Sequence, residues 1–111
     1  MNNFQLPSAE KINLRESIEY ANDSIVSKTL VKNDSGTITL FAFDDGQGLS
    51  EHTAPFNALV QVLDGKAEIS IDRKPYEVAA GEAILMPADI PHAVKSIGRF
   101  KMLLTMLKST K

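Results

Sequence analysis

Residues 58–71 read ALVQVL, DG, KAEISI: two short runs of aliphatic and β-branched side chains on either side of Asp64-Gly65. An Asp-Gly pair supplies the positive φ angles that a two-residue hairpin turn demands, so this stretch predicts strands over 58–63 and 66–71 joined by a tight turn. Upstream, IVSKTLVK (25–32) and TITLFAF (37–43) carry the same β-forming residues. Between them Asn33-Asp34-Ser35-Gly36 is turn chemistry, which predicts a second hairpin. Downstream, strand-like runs over 76–79, 83–86, 92–95 and 100–107 are separated by Gly81, Pro87, Pro91 and Gly98. Roughly 8 to 9 strands on so short a chain must hide their edges by closing or by stacking two sheets, and an antiparallel jelly roll does both.

The expectation is therefore an all-β domain, an antiparallel jelly-roll barrel over residues 25–111 preceded by an arm over 1–24. The arm holds the one helical candidate, LRESIEY (14–20), with Asn13 as N-cap and Glu16 placed to close a capping box. At barely two turns it must lean on the barrel. With 111 residues, 43% hydrophobic and 23% charged, the chain has the composition of one folded domain. A domain of this size buries about 65% of its unfolded surface, so a homodimer is expected to help it.

Twelve basic and fourteen acidic side chains give a net charge of −2 with no Lys/Arg stripe, and nucleic acid is not an expected partner. The absence of cysteine removes disulfides, thiolate nucleophiles and Cys-based zinc or iron–sulfur sites. The first residues lack the basic start and apolar stretch of a signal peptide, and no apolar run approaches the ~20 residues of a spanning helix. A cytoplasmic protein with no membrane partner is expected. No nucleophile elbow, phosphate loop or dinucleotide fingerprint is present, and Asp44-Asp45 reads as a turn.

The two histidines of the chain each lie in a distinctive run. The first is GQGLSEHTAPFNA (46–58), closed by Gly65; the second is GEAILMPADIPH (81–92). Together they resemble the cupin family. Its first motif, Gly, five residues, His-x-His, three residues, Glu, six residues, Gly, falls on Gly46, His52, Ala54, Ala58 and Gly65. Its second motif, Gly, five residues, Pro-x-Gly, two residues, His, three residues, Asn, falls on Gly81, Pro87, Asp89, His92 and Ser96. The resemblance spans residues 37–107 and implies a double-stranded β-helix with a divalent metal inside the barrel. The motif is depleted: of the family's ligands only His52 and His92 remain, and Ala54 and Ala58 donate nothing.

His52 and His92 admit two readings: inward imidazoles satisfied by backbone or water, or two ligands of a Zn, Fe, Ni, Cu or Mn ion that recruits further donors. Gln47, Glu51, Asn57, Gln61 and Asp89 are the nearby oxygen or nitrogen donors. Residues 52 and 54 alternate onto one strand face, so Ala54 leaves room beside an inward His52. Phe41, Phe43, Ala54, Ala58, Gln61, Met86, Phe100, Met102 and Leu104 are the candidate lining of a small-molecule pocket. Phe56 and Met106 are candidates for lining or core, and the adaptable thioethers suit an irregular apolar space. Two functions follow: a small metal-dependent enzyme of dioxygenase or isomerase type, or a metal-free ligand-binding or structural dimer without catalysis.

Overall fold

A computed structural model describes residues 6–108. Seven antiparallel strands follow a single turn of 3₁₀ helix at Arg15–Ser17: β1 (Ile25–Asn33), β2 (Gly36–Phe43), β3 (Gly48–His52), β4 (Phe56–Ile71), β5 (Lys74–Ala79), β6 (Ala83–Met86) and β7 (His92–Lys108). Among the described residues no helix is long and apolar enough to cross a membrane.

Two long strands organise everything else. β4 and β7 pair along their whole lengths, from Phe56 opposite Lys108 to Ile71 opposite His92, with register shifts around Asp64. On one side of that bend β2 joins β7, β6 joins β4 and β1 joins β2. On the other side β3 joins β7 and β5 joins β4. The long pair thus passes from one layer to the other, and the inner faces of the two layers meet as a jelly roll.

The hairpin expected at Asp64-Gly65 is not there. Residues 58–63 and 66–71 are halves of one strand, and Asp64-Gly65 is a bulge within it. Gly65 holds the left-handed φ of +69° that a hairpin turn would also use, so the dipeptide chemistry is the same and the long-range pairing with β7 decides its use. Likewise 92–95 and 100–107 form one strand, with Gly98 at φ +72° inside it. The hairpin at Asn33–Gly36 forms as expected; the Asn33 side chain accepts the Ser35 N–H at 2.8 Å. The expected helix over 14–20 shrinks to Arg15–Ser17, although the Asn13 cap accepts the Glu16 N–H at 3.1 Å. A helix so short has too few internal hydrogen bonds to propagate, and the chain turns extended at Ile18.

Strand alternation divides β2 between two cores. Phe43 points between the layers and stacks on Phe100 at 4.4 Å, among Val60, Val62, Ala67, Ile69 and Met102. Leu40 and Ala42 point outward, where Ile18 of the arm joins Leu30 and Leu103 over them. Lys101 reaches the arm from the same outer face and donates to the Arg15 carbonyl at 2.6 Å. Tyr20 donates to Asp64 at 2.6 Å, and Arg15 pairs with the same carboxylate at 3.2 Å. The arm is thereby tied to the bulge where the layers divide.

Candidate functional site

β3 ends at His52 and β7 begins at His92, and the two residues are direct neighbours across the strand pair. His92 is buried whereas His52 is exposed, so the pair spans the boundary between solvent and barrel. Their Nε2 atoms lie 3.1 Å apart and the rings meet nearly edge to face at 71°. His52 Nδ1 lies 2.8 Å from the Ser50 carbonyl and His92 Nδ1 lies 3.1 Å from the Ile90 carbonyl. A carbonyl only accepts, so each Nδ1 carries the proton. With both Nδ1 atoms protonated and the rings neutral, the two Nε2 atoms are acceptors 3.1 Å apart, a contact that a shared proton or a shared metal ion would relieve. Burial pushes the His92 imidazole below its ordinary pKa; the Ile90 carbonyl opposes this and His52 adds a smaller downward push.

Beneath the pair lies a cavity of about 60 Å³ bordered by both histidines and otherwise by apolar and thioether side chains. The loops at its mouth are tied to each other. Asp89 N–H donates to the Ala54 carbonyl at 2.8 Å, Ala88 N–H to the Asn57 side chain at 3.0 Å, and Asp72 N–H to the Pro91 carbonyl at 2.8 Å. Asp89 has φ +64°, so the position that the motif frame gives to glycine keeps a left-handed backbone here, which Asp tolerates better than most residues.

Of the residues expected to line a pocket, Ala54, Ala58, Met86, Met102 and Leu104 border this cavity. Phe41, Phe43, Phe100 and Gln61 do not. Phe43 and Phe100 are consumed in their own stacked pair, with Phe41 tilted against Phe43 at 6.0 Å. Gln61 has the wrong parity on β4, because Ala58, Val60 and Val62 face inward and Gln61 therefore faces out. Phe56 and Met106 border the cavity, as do Leu49 and Val94, which the sequence reading did not single out. Val94 was within reach, since it shares the parity of His92. Leu49 sits on β3, a strand whose polar composition hides it.

Glu51 is engaged by Arg73 at 3.5 Å and Asn57 by the backbone of Ala88, and neither borders the cavity. Among the described residues no group of three His, Cys, Asp or Glu side chains is placed to hold a metal. Two imidazoles are what the protein offers from those residue types. Two nitrogens each about 2.05 Å from a metal lie roughly 2.9 to 3.4 Å apart for angles between about 90° and 110° at the ion. The observed 3.1 Å falls in that range, and it is equally an ordinary hydrogen-bond separation.

The sequence matches the cupin domain family over residues 39–107. Its fold is similar to that of a conserved protein of unknown function from Streptococcus pyogenes, with a TM-score of 0.89 and 38% identity over 96% of this chain and 94% of that one. A cupin superfamily protein from Desulfitobacterium hafniense gives 0.88 and 31%, over 95% and 96%. A cupin 2 conserved barrel domain protein from Leptotrichia buccalis gives 0.85 and 45%, over 87% of this chain and 47% of that one. Among curated sequences, Polyketide synthase CurC of Streptomyces cyaneus is 25% identical over 76 residues, which is 68% of this chain and 49% of that protein. The chain spans about half the length of the curated relatives it matches.

Proposed function

This chain belongs to the cupin family, and on that premise we propose that it binds a transition-metal ion through His52 and His92, with a small molecule of a few heavy atoms entering the cavity beside it. The observation that carries the reading is the convergence of two bare Nε2 atoms, each ring fixed in orientation by a carbonyl on its far nitrogen. Such outer bonds are how metal-ligating histidines are held and made more basic. An ion with only two imidazoles keeps coordination positions open, and bound there it would supply those positions to a group of the guest. Chemistry of dioxygenase or isomerase type would proceed at those open positions. The apolar walls formed by Ala54, Ala58 and Leu104 exclude water from the guest, and exposed His52 faces its entry route.

The size of the cavity limits the substrate. At about 60 Å³ it is far below the ~300 Å³ and more of sites that take drug-sized molecules. A full polyketide of the kind the Streptomyces cyaneus relative's name suggests does not fit without displacement of the wall.

A second reading is favoured by the same distance, because 3.1 Å also suits one proton shared between the rings. In metal-free protein the two rings would then be joined by that proton alone. Elemental analysis of untagged protein, with metal titration followed by thermal unfolding, separates the two. A bound ion at one hundred times its Kd stabilises by about 2.7 kcal/mol, and that gain should vanish in His52→Ala and His92→Ala. Wild type that stays metal-free and unstabilised through Mn, Fe, Ni, Cu and Zn rejects the metal reading.

A further inference from the structure

The sequence contains four methionines, and all three beyond Met1 border the cavity under the histidine pair. Among the side chains of that wall the heteroatoms are the imidazole nitrogens of His52 and His92 and the thioether sulfurs of Met86, Met102 and Met106; among the described residues no side-chain oxygen borders it. Met86 on β6 and Met106 on β7 are both direct neighbours of Ala58, one on each side of β4. Ala58 stands where the first cupin motif carries its carboxylate, so two sulfurs flank the place that a hard oxygen donor would have filled.

We propose that the site is built for cuprous copper, held by His52, His92 and the thioether of Met86 or Met106. The inference rests on the two-histidine reading above and narrows the ion. Thioethers are soft and neutral; they bind monovalent copper well and contribute little to manganese, iron or zinc. Charge points the same way. The desolvation cost of an ion rises with the square of its charge, so a divalent ion beside this apolar wall meets about a fourfold larger penalty than a monovalent one, with no carboxylate there to offset it. Exposed His52 takes the ion from solvent and buried His92 draws it toward the sulfurs.

The test is an anaerobic titration of whole protein with Cu(I) against a coloured cuprous chelator, in parallel with Zn(II), for wild type, a Met86→Leu/Met106→Leu double variant and a His52→Ala/His92→Ala double variant. Leu matches Met in volume, so the methionine variant should keep the fold, as its circular dichroism and melting curve will show. One Cu(I) should bind wild type, with a metal–sulfur shell in its X-ray absorption spectrum. Loss of the two methionines should weaken Cu(I) by about tenfold or more, remove that shell and leave Zn(II) affinity unchanged. Unaltered Cu(I) affinity in the methionine variant, with binding still lost in the histidine variant, overturns the copper assignment and leaves the two-histidine site standing. Undiminished binding in the histidine variant overturns both.

Discussion

Gly65 of β4 backs onto the carbonyl of Arg99 in β7 so closely that a Cβ added to it would lie 2.1 Å from the oxygen. The approach occurs where the two long strands bend from one layer into the other. The jelly roll therefore depends on a residue without a side chain at that point, and on one that accepts φ +69°.

Gly65→Ala should accordingly lose more than the 1–2 kcal/mol or so that a left-handed backbone alone costs an L-residue. Gly98→Ala is the matched control, because Gly98 has φ +72° but its added Cβ meets nothing within 4 Å. Urea unfolding should rank the variants with Gly65→Ala well below Gly98→Ala. Equal losses would show that conformation, and not the Arg99 contact, sets the requirement.

The same glycine shows what was legible in the sequence. Its need for positive φ is written in the Asp-Gly pair, yet the pair is compatible with a turn or a bulge, and the choice is made by β7, some thirty residues later in the chain. The Asn33–Gly36 hairpin was readable because its partners are adjacent in sequence. At the site, the motif spacing singled out His52, His92 and Ala58, and Met102 and Leu104 stood among the apolar candidates for a lining; the structure places all five around one cavity. Side-chain parity argues against Gln61, which lies one residue out of phase with Val60 and Val62. The fate of Phe43 and Phe100 was not readable, since their stacking depends on β2 and β7 being neighbours.

The arm is expected to behave as part of the domain. Ile18 is 5% exposed and packs with Leu30, Leu40, Ala42 and Leu103 on the outer face of the barrel. Ile18→Ala should cost about 2–5 kcal/mol, the range for deleting a buried aliphatic side chain. Ile12→Ala, at a site 38% exposed, should stay within about 0.5 kcal/mol of wild type. Equal and small losses from both would mean that the arm does not contribute to the cooperative unit.

Acid should weaken the protein through Asp44. The Arg99 side chain at 2.8 Å, helped by the N–H groups of Asp23 and Asp45, lowers its carboxyl pKa to about 2 from an ordinary 3.8. A carboxylate with a depressed folded pKa adds stability that is complete above the unfolded value and disappears as pH falls through the folded one. The contribution is thus present above about pH 4 and fades between there and about pH 2. Asp44→Asn should be less stable than wild type at pH 7, and the difference should shrink across that window. A difference independent of pH in that window would rule out the ion pair as its source.

Ala58→Glu restores a carboxylate between Met86 and Met106, facing the histidine pair. Ala58 is buried, so without metal the new side chain is either a buried unpaired charge or a carboxyl forced to stay protonated, and the fold should weaken by several kcal/mol. With His52 and His92 it completes a set of two nitrogens and one oxygen suited to hard and borderline divalent ions. Mn(II) or Zn(II) should therefore raise the melting temperature of Ala58→Glu far more than that of wild type, and the rise should be lost when His92→Ala is added. The same substitution should lower Cu(I) preference relative to Zn(II), because it replaces a soft wall with a hard donor. A destabilised variant that no divalent ion rescues would indicate that the imidazole pair does not face residue 58 across a common ion.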